Sequence, residues 1–209
     1  MENDYELLHR HFNNLKRFTF PYNESEISQN GIYILFETGE RYKNFDRIVR
    51  IGSHTNKNRL LKRLNEHFVE EDHRDSIFRK HLGRCFLTID HKSNYIPIWD
   101  LKIKRREDKL INLPKINWEL ESEYEHKITG YIRKNCSFVI IPDLTNDVKR
   151  VRLEQGLIAT VGQTVQPSFN DKWPGAFHPK ATIRNSKLWN IQHINGRQLS
   201  GLEMKEILC

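Results

Sequence analysis

Two neighbouring apolar segments constrain this chain most: GIYILFE at 31–37 and RIVRIGS at 47–53. Both are short and rich in β-branched or aromatic residues, so they read as strands, and the loop TGERYKNFD between them makes an antiparallel pair. Side chains alternate between the two faces of a strand. That period sets Ile32, Ile34 and Phe36 on one face with Val49 and Ile51 opposite them, and sends Tyr33 and Arg50 to the other. A lone phenol and a lone guanidinium are therefore expected on the same side of one hairpin.

Around the hairpin the pattern is mostly helical. Residues 5–17 form an amphipathic stretch, followed by the polar lead-in FPYNESEISQNG. From Asn58 to about Phe68, Leu60, Leu61, Leu64 and Phe68 make an apolar stripe, with Thr55 and Asn56 as candidate caps. DSIFRKHLGRCFLTI suggests a second short helix, whereas YIPIWDLKIKRRED reads as a strand followed by a charged excursion. ELESEYEHKITGYIRKN carries acids first and bases last, the order that a helix dipole prefers. SFVIIPD is then a third strand, DVKRVRLEQGLIATVG a further helix, and Ser200 to Glu203 a capping box for a terminal helix.

The 209 residues suffice for one domain, and the net charge of +7 favours a polyanionic partner, because clustered Lys and Arg displace counterions from phosphates. A generally basic, solvated surface explains the charge equally well. Basic residues do bunch, in NKNRLLKRL, IFRKHLGR, LKIKRR and VKRVR. No apolar run is long enough to span a bilayer, so no membrane partner is expected. The start lacks the pattern of a signal peptide, and Cys85, Cys136 and Cys209 form neither a disulfide framework nor a zinc motif; a cytoplasmic location is expected.

Glu154 is the strongest chemical signal. Val151, Leu157, Ile158 and Val161 surround it at helical spacing, which places a carboxylate in the stripe expected to face the interior. Such a group must pair with a cation, bind a metal or be neutralised, and a buried Glu–Arg pair without catalytic role remains an alternative. Arg63 and His67 stand four apart on one helical flank, where they reach into a cleft or simply face water. Tyr33 is open to the same two views, catalytic phenol or ordinary strand aromatic.

Taken together, Gly31-Ile32-Tyr33, Arg50-Ile51-Gly52, Arg63 and His67 in RLNEH, Glu154 in RLEQGLIA and Asn170 in QPSFND resemble the ordered motifs of the GIY-YIG nuclease superfamily. Arg50 stands where the family has its second tyrosine. The resemblance implies an α/β fold with a small central, mainly antiparallel sheet flanked by helices. It implies one domain over 1–209, with a nuclease core at 31–170 that includes an elaboration at about 87–149. Residues 1–30 are then a helix and lead-in, and 171–209 an extension.

The activity implied is a divalent-metal-dependent DNA endonuclease, of restriction or defence type, acting on double-stranded DNA as a monomer or homodimer. In that scheme Tyr33 takes the proton of the attacking water, Arg63 holds the scissile phosphate, and Glu154 binds one Mg²⁺, with Mn²⁺ as a substitute. His67 orients the water or Tyr33, Asn170 braces a phosphate or the metal's surroundings, and Arg50 tunes Tyr33 or grips phosphate. Lys62, Arg79, Lys80 and Arg84 would continue the phosphate track, with Trp173 or Trp189 stacking on a base. His9, His11 and His81 read as parts of solvated helix faces. Two rival functions stand beside it: a nucleic-acid-binding module that has the nuclease fold without turnover, and a structure-specific DNA-repair nuclease.

Overall fold

A computed structural model describes residues 3–142, 144, 146–164, 170 and 172–208. Helix α1 (Asp4–Asn14) precedes the short strand β1 (Phe18–Thr19) and the hairpin β2 (Gly31–Tyr42) and β3 (Phe45–Gly52). Five helices follow: α2 (Leu60–Phe68), α3 (Ile77–Ile89), α4 (Ile96–Trp99), α5 (Arg106–Asn112) and α6 (Trp118–Asn135). Then come β4 (Cys136–Pro142), α7 (Asp147–Gly162), α8 (Ala181–Ser186) and α9 (Gly201–Leu208). The strands form one antiparallel sheet in the order β1-β4-β2-β3, which is the α/β class expected. Strand β4, from within 87–149, lies between β1 and β2. Among the described residues no helix is long and apolar enough to cross a membrane.

The sheet is buried on both faces, which is why β2 reads as an almost unbroken apolar run. Ile32, Ile34, Phe36, Ile48 and Ile51 pack with Leu8 and Phe12 of α1, Leu153 and Leu157 of α7, and Met204 of α9. Tyr33, Leu35 and Val49 face the opposite core, made by Leu64 and Phe68 of α2, Phe78 and Leu82 of α3, and Ile128 of α6.

Val49 corrects the period-two expectation. Leu35 pairs with Arg50 but the next residue, Phe36, pairs with Ile48, so Val49 is an extra residue bulged out of the ladder. The bulge turns Val49 toward the face of Tyr33, beside Arg50, which alternation already places there. It also frees the Val49 carbonyl, which accepts the Trp189 N–H at 2.7 Å. One residue on, Asn190 binds both backbone groups of Ile51, accepting from its N–H at 3.0 Å and donating to its carbonyl at 2.8 Å. At Val49 and Ile51 the outer edge of the sheet is thus closed by the segment around Trp189 and Asn190.

Elsewhere local chemistry overrode the expectation. The segment read as a strand is helical, a turn of 3₁₀ helix at Ser93–Tyr95 running into α4 with Pro97 in its first turn, where the missing N–H costs nothing. Thr55 and Asn56 do not cap α2; its first N–H, of Leu60, instead binds the carbonyl of Gln29. His9 is buried, not solvated: its Nε2 accepts the Ile48 N–H at 3.0 Å, and burial, the largest cause, lowers its pKa to about 4, which keeps the ring neutral for that task. The capping box at Ser200 and Glu203 forms as read. Cys85 and Cys136 are buried free thiols, and Cys209 lies outside the described residues.

Glu37 ties the extension to the sheet. Its carboxylate is buried and accepts the indole N–H groups of Trp173 at 2.9 Å and Trp189 at 3.0 Å, and the hydroxyl of Tyr131. Both tryptophans are therefore core residues and not base-stacking platforms. Replacing Glu37 with Ala strands three buried donors at once, and the expected loss, read by urea unfolding, is about 3 to 5 kcal/mol.

Candidate active site

Beside the edge of β3 lies a cavity of about 740 Å³. Its walls come from the end of β3, from α2 and α3 on one side of the sheet, from α7 on the other, and from the C-terminal segment around Asn190. Arg50, Arg63 and Glu154 all line it. Tyr33 does not line the cavity but lies buried behind Arg50: its hydroxyl receives a hydrogen bond from Arg50 Nε at 3.1 Å and lies 2.8 Å from His67 Nε2. Because an arginine only donates, the phenolic oxygen is the acceptor toward Arg50. Arg50 is held in turn by the Trp189 carbonyl at 3.0 Å and rests over the ring of Phe78.

Helix α2 supplies two side chains with opposite roles. His67 points inward, wholly buried, with Nδ1 2.6 Å from the Ser76 hydroxyl at the N-cap of α3. Burial, and then Arg63, Arg50 and Arg79, push its pKa well below the ordinary histidine range, so the ring is neutral at neutral pH. Arg63 is half-buried and paired with Glu66 at 2.7 Å. Desolvation works against its charge, but Tyr33 and Glu66 outweigh it and raise the pKa, so the guanidinium stays charged. A permanently charged group held at the cavity wall suits an anionic ligand.

Glu154 is not in the core stripe. Leu153, Leu157 and Val161 fill that role, while Glu154, with Val151 and Ile158, lies on the shoulder of α7 and faces the cavity. Its carboxylate accepts the Ser53 N–H at 3.1 Å and the Ser53 hydroxyl, so serine, and not a buried arginine, is its partner. Buried Glu–Arg pairs do exist in this chain, at Glu40–Arg47 and Glu125–Arg79.

Several expected positions fall elsewhere. Asn170 is exposed beside Gly39, at the other end of β2 from Tyr33, and its side chain accepts the Lys172 N–H. The asparagine in the cavity is Asn190, the first polar residue after Leu188 and Trp189, and nothing local in the sequence marks it. Arg79 is wholly buried, donating to Glu125, the His67 carbonyl and Thr129, and cannot touch a ligand. Lys62 is exposed on the outer side of α2, away from the cavity, and Lys80 is turned to Asp100. Arg84 does line the cavity, although Asp100 binds it at 2.8 Å. His81 corrects the solvated-face reading, since it is buried and lines the same wall. Arg59 and Lys180 add two further cations there.

The model of the GIY-YIG domain matches residues 1–202 of the chain. No curated protein and no solved structure matches it.

The glycines of both motif halves are explained by close approach. A Cβ on Gly31 would lie 2.4 Å from the Ile141 carbonyl of the neighbouring strand, and one on Gly52 would lie 2.3 Å from the Tyr33 hydroxyl. Gly52 is thus what lets the phenol reach under the end of β3. Gly52→Ala is expected to displace that hydroxyl and to cost about 1 to 3 kcal/mol in thermal or urea unfolding, whereas Gly130→Ala, exposed within α6 where the added methyl meets nothing within 4 Å, is expected to stabilise by up to about 1 kcal/mol through helix propensity.

Proposed function

The chain belongs to the GIY-YIG family, and from that premise we propose that it is a divalent-metal-dependent endonuclease that hydrolyses phosphodiester bonds in duplex DNA. The observation that carries this reading is the contact of buried Tyr33 with His67 and with Arg50, which lines the same cavity as Arg63 and Glu154. Phosphodiester hydrolysis needs a proton acceptor for water, positive charge at the phosphoryl oxygens and help for the departing oxygen. In this scheme Tyr33 serves as the phenolate, whose negative charge the arginines at 50 and 63 offset, and it becomes the neutral phenol on taking the proton of the attacking water. Neutral His67 orients the hydroxyl, and Ser76 holds His67. Arg63 exchanges Glu66 for a non-bridging phosphate oxygen.

Glu154 fits a Mg²⁺ or Mn²⁺ site. Magnesium retains most of its waters and takes one or two carboxylates plus substrate oxygens, and Glu154 offers one carboxylate on the cavity wall with only a serine bound to it. Among the described residues no cluster of three His, Cys, Asp or Glu offers a fuller cage. Bound there, the ion would polarise the phosphate and neutralise the leaving oxygen. Restriction or defence is the biological setting that this compact domain suits.

The second reading, a DNA-binding module without turnover, is favoured by one observation: Tyr33 has no solvent exposure. One assay separates the two. Purified protein is incubated with supercoiled plasmid, linear duplex and RNA, with Mg²⁺ or EDTA, beside Glu154→Gln and Arg63→Ala. Metal-dependent cutting of DNA is expected, with each variant folded and reduced by about 10²-fold or more. DNA binding without cutting by the wild type would establish the binding module instead.

A further inference from the structure

His81 Nδ1 lies 3.0 Å from His178 Nε2 and 2.9 Å from Arg84 Nη1. Both rings are buried, and His178 Nδ1 also accepts the backbone N–H of Lys180 at 3.0 Å. These contacts determine where every proton sits. The Lys180 N–H can only donate, so His178 Nδ1 is bare and its proton is on Nε2. The Arg84 guanidinium can only donate as well, so His81 Nδ1 is bare and accepts from both Arg84 and His178. The remaining proton of His81 is on Nε2, a nitrogen that neither partner uses, on a ring that lines the cavity.

We propose that His81 is a further substrate-binding residue of this cleft, its Nε2–H donating a hydrogen bond to a phosphate oxygen of the bound strand. The proposal rests on the nuclease reading of the cavity. His178 and Arg84 are positioning residues: they fix the tautomer, and Asp100 fixes Arg84. Burial, followed by His178 and Arg84, lowers the His81 pKa to about 2, and burial, followed by Arg84, lowers that of His178 to about 3. The donor is therefore neutral throughout the working pH range. It adds direction to a wall where Arg50, Arg63 and Lys180 supply charge.

Long-range ¹⁵N–¹H spectra of the imidazoles in the free protein test the tautomers directly. Both rings are expected to be neutral with the proton on Nε2, and a proton on Nδ1 of His81 overturns the proposal. Cleavage and binding of one duplex are then compared for wild type, His81→Asn and His81→Gln. An asparagine amide reaches only the place of Nδ1, whereas a glutamine amide reaches that of Nε2. His81→Asn is expected to weaken binding about 10- to 100-fold, the value of a hydrogen bond to a charged acceptor, and His81→Gln to restore most of it. Equal, wild-type behaviour of both variants overturns the proposal.

If His81→Asn melts the fold, the wild-type spectrum decides on addition of a cleavage-resistant phosphorothioate duplex. The His81 Nε2–H signal is expected to shift, and a fixed signal overturns the proposal. A wild type that binds no DNA overturns the nuclease reading together with this one. A wild type that cuts DNA, beside an unaffected His81→Asn, overturns this one alone.

Discussion

A single extra residue in β3 lets two successive side chains, Val49 and Arg50, share the face of Tyr33 while Ile48 and Ile51 both keep to the other core. Without the bulge, alternation would still set Arg50 beside Tyr33 and Ile51 opposite, but Val49 and Ile48 would exchange faces. With it, Ile51 stays in one core, Val49 enters the other, and Arg50 reaches the Tyr33 hydroxyl. As the edge strand of the sheet, β3 also leaves outward backbone groups unpaired, which Trp189 and Asn190 satisfy. Thus the extension that closes the sheet edge also walls the cavity, and the Trp189 carbonyl that meets the edge also holds Arg50.

Charge is apportioned in the same spirit. Arg47 and Arg79 are buried structural cations, each matched by a glutamate and by carbonyl acceptors, since an unpaired charge in the interior is expensive. Of the cations lining the cavity, Arg63 is paired with Glu66 and Arg84 with Asp100. Glu154 meets them from the opposite side of the sheet, because α7 packs on the other core and Ser53 links it to the end of β3. The site therefore spans both layers of helices and depends on the whole sheet being in place.

Much of this was legible in the residues. The hairpin, the helices at 60–68, 118–135 and 147–162 and the terminal capping box follow from local periodicity and capping chemistry. So did the shared face of Tyr33 and Arg50, which period two contains; the bulge at Val49 it does not. What escaped was long-range. Asn170 and Asn190 are alike as asparagines in sequence, and only the folding of the C-terminal segment along β3 brings Asn190 to the cavity. The burial of His9, His81 and Arg79 depends on acceptors and donors supplied by distant segments. Glu154 was placed on the apolar stripe because one turn of helix cannot distinguish its centre from its shoulder.

Arg50 is the residue on which the account turns, because it occupies the place of the family's second tyrosine and contacts the first directly. The most direct measurement is the single-turnover rate of Mg²⁺-dependent DNA cleavage by Arg50→Met, with thermal unfolding as the control for folding. A folded variant slowed by about 10²-fold or more is the result predicted for an arginine that serves the Tyr33 oxygen and the phosphate. Cleavage at the wild-type rate would contradict it.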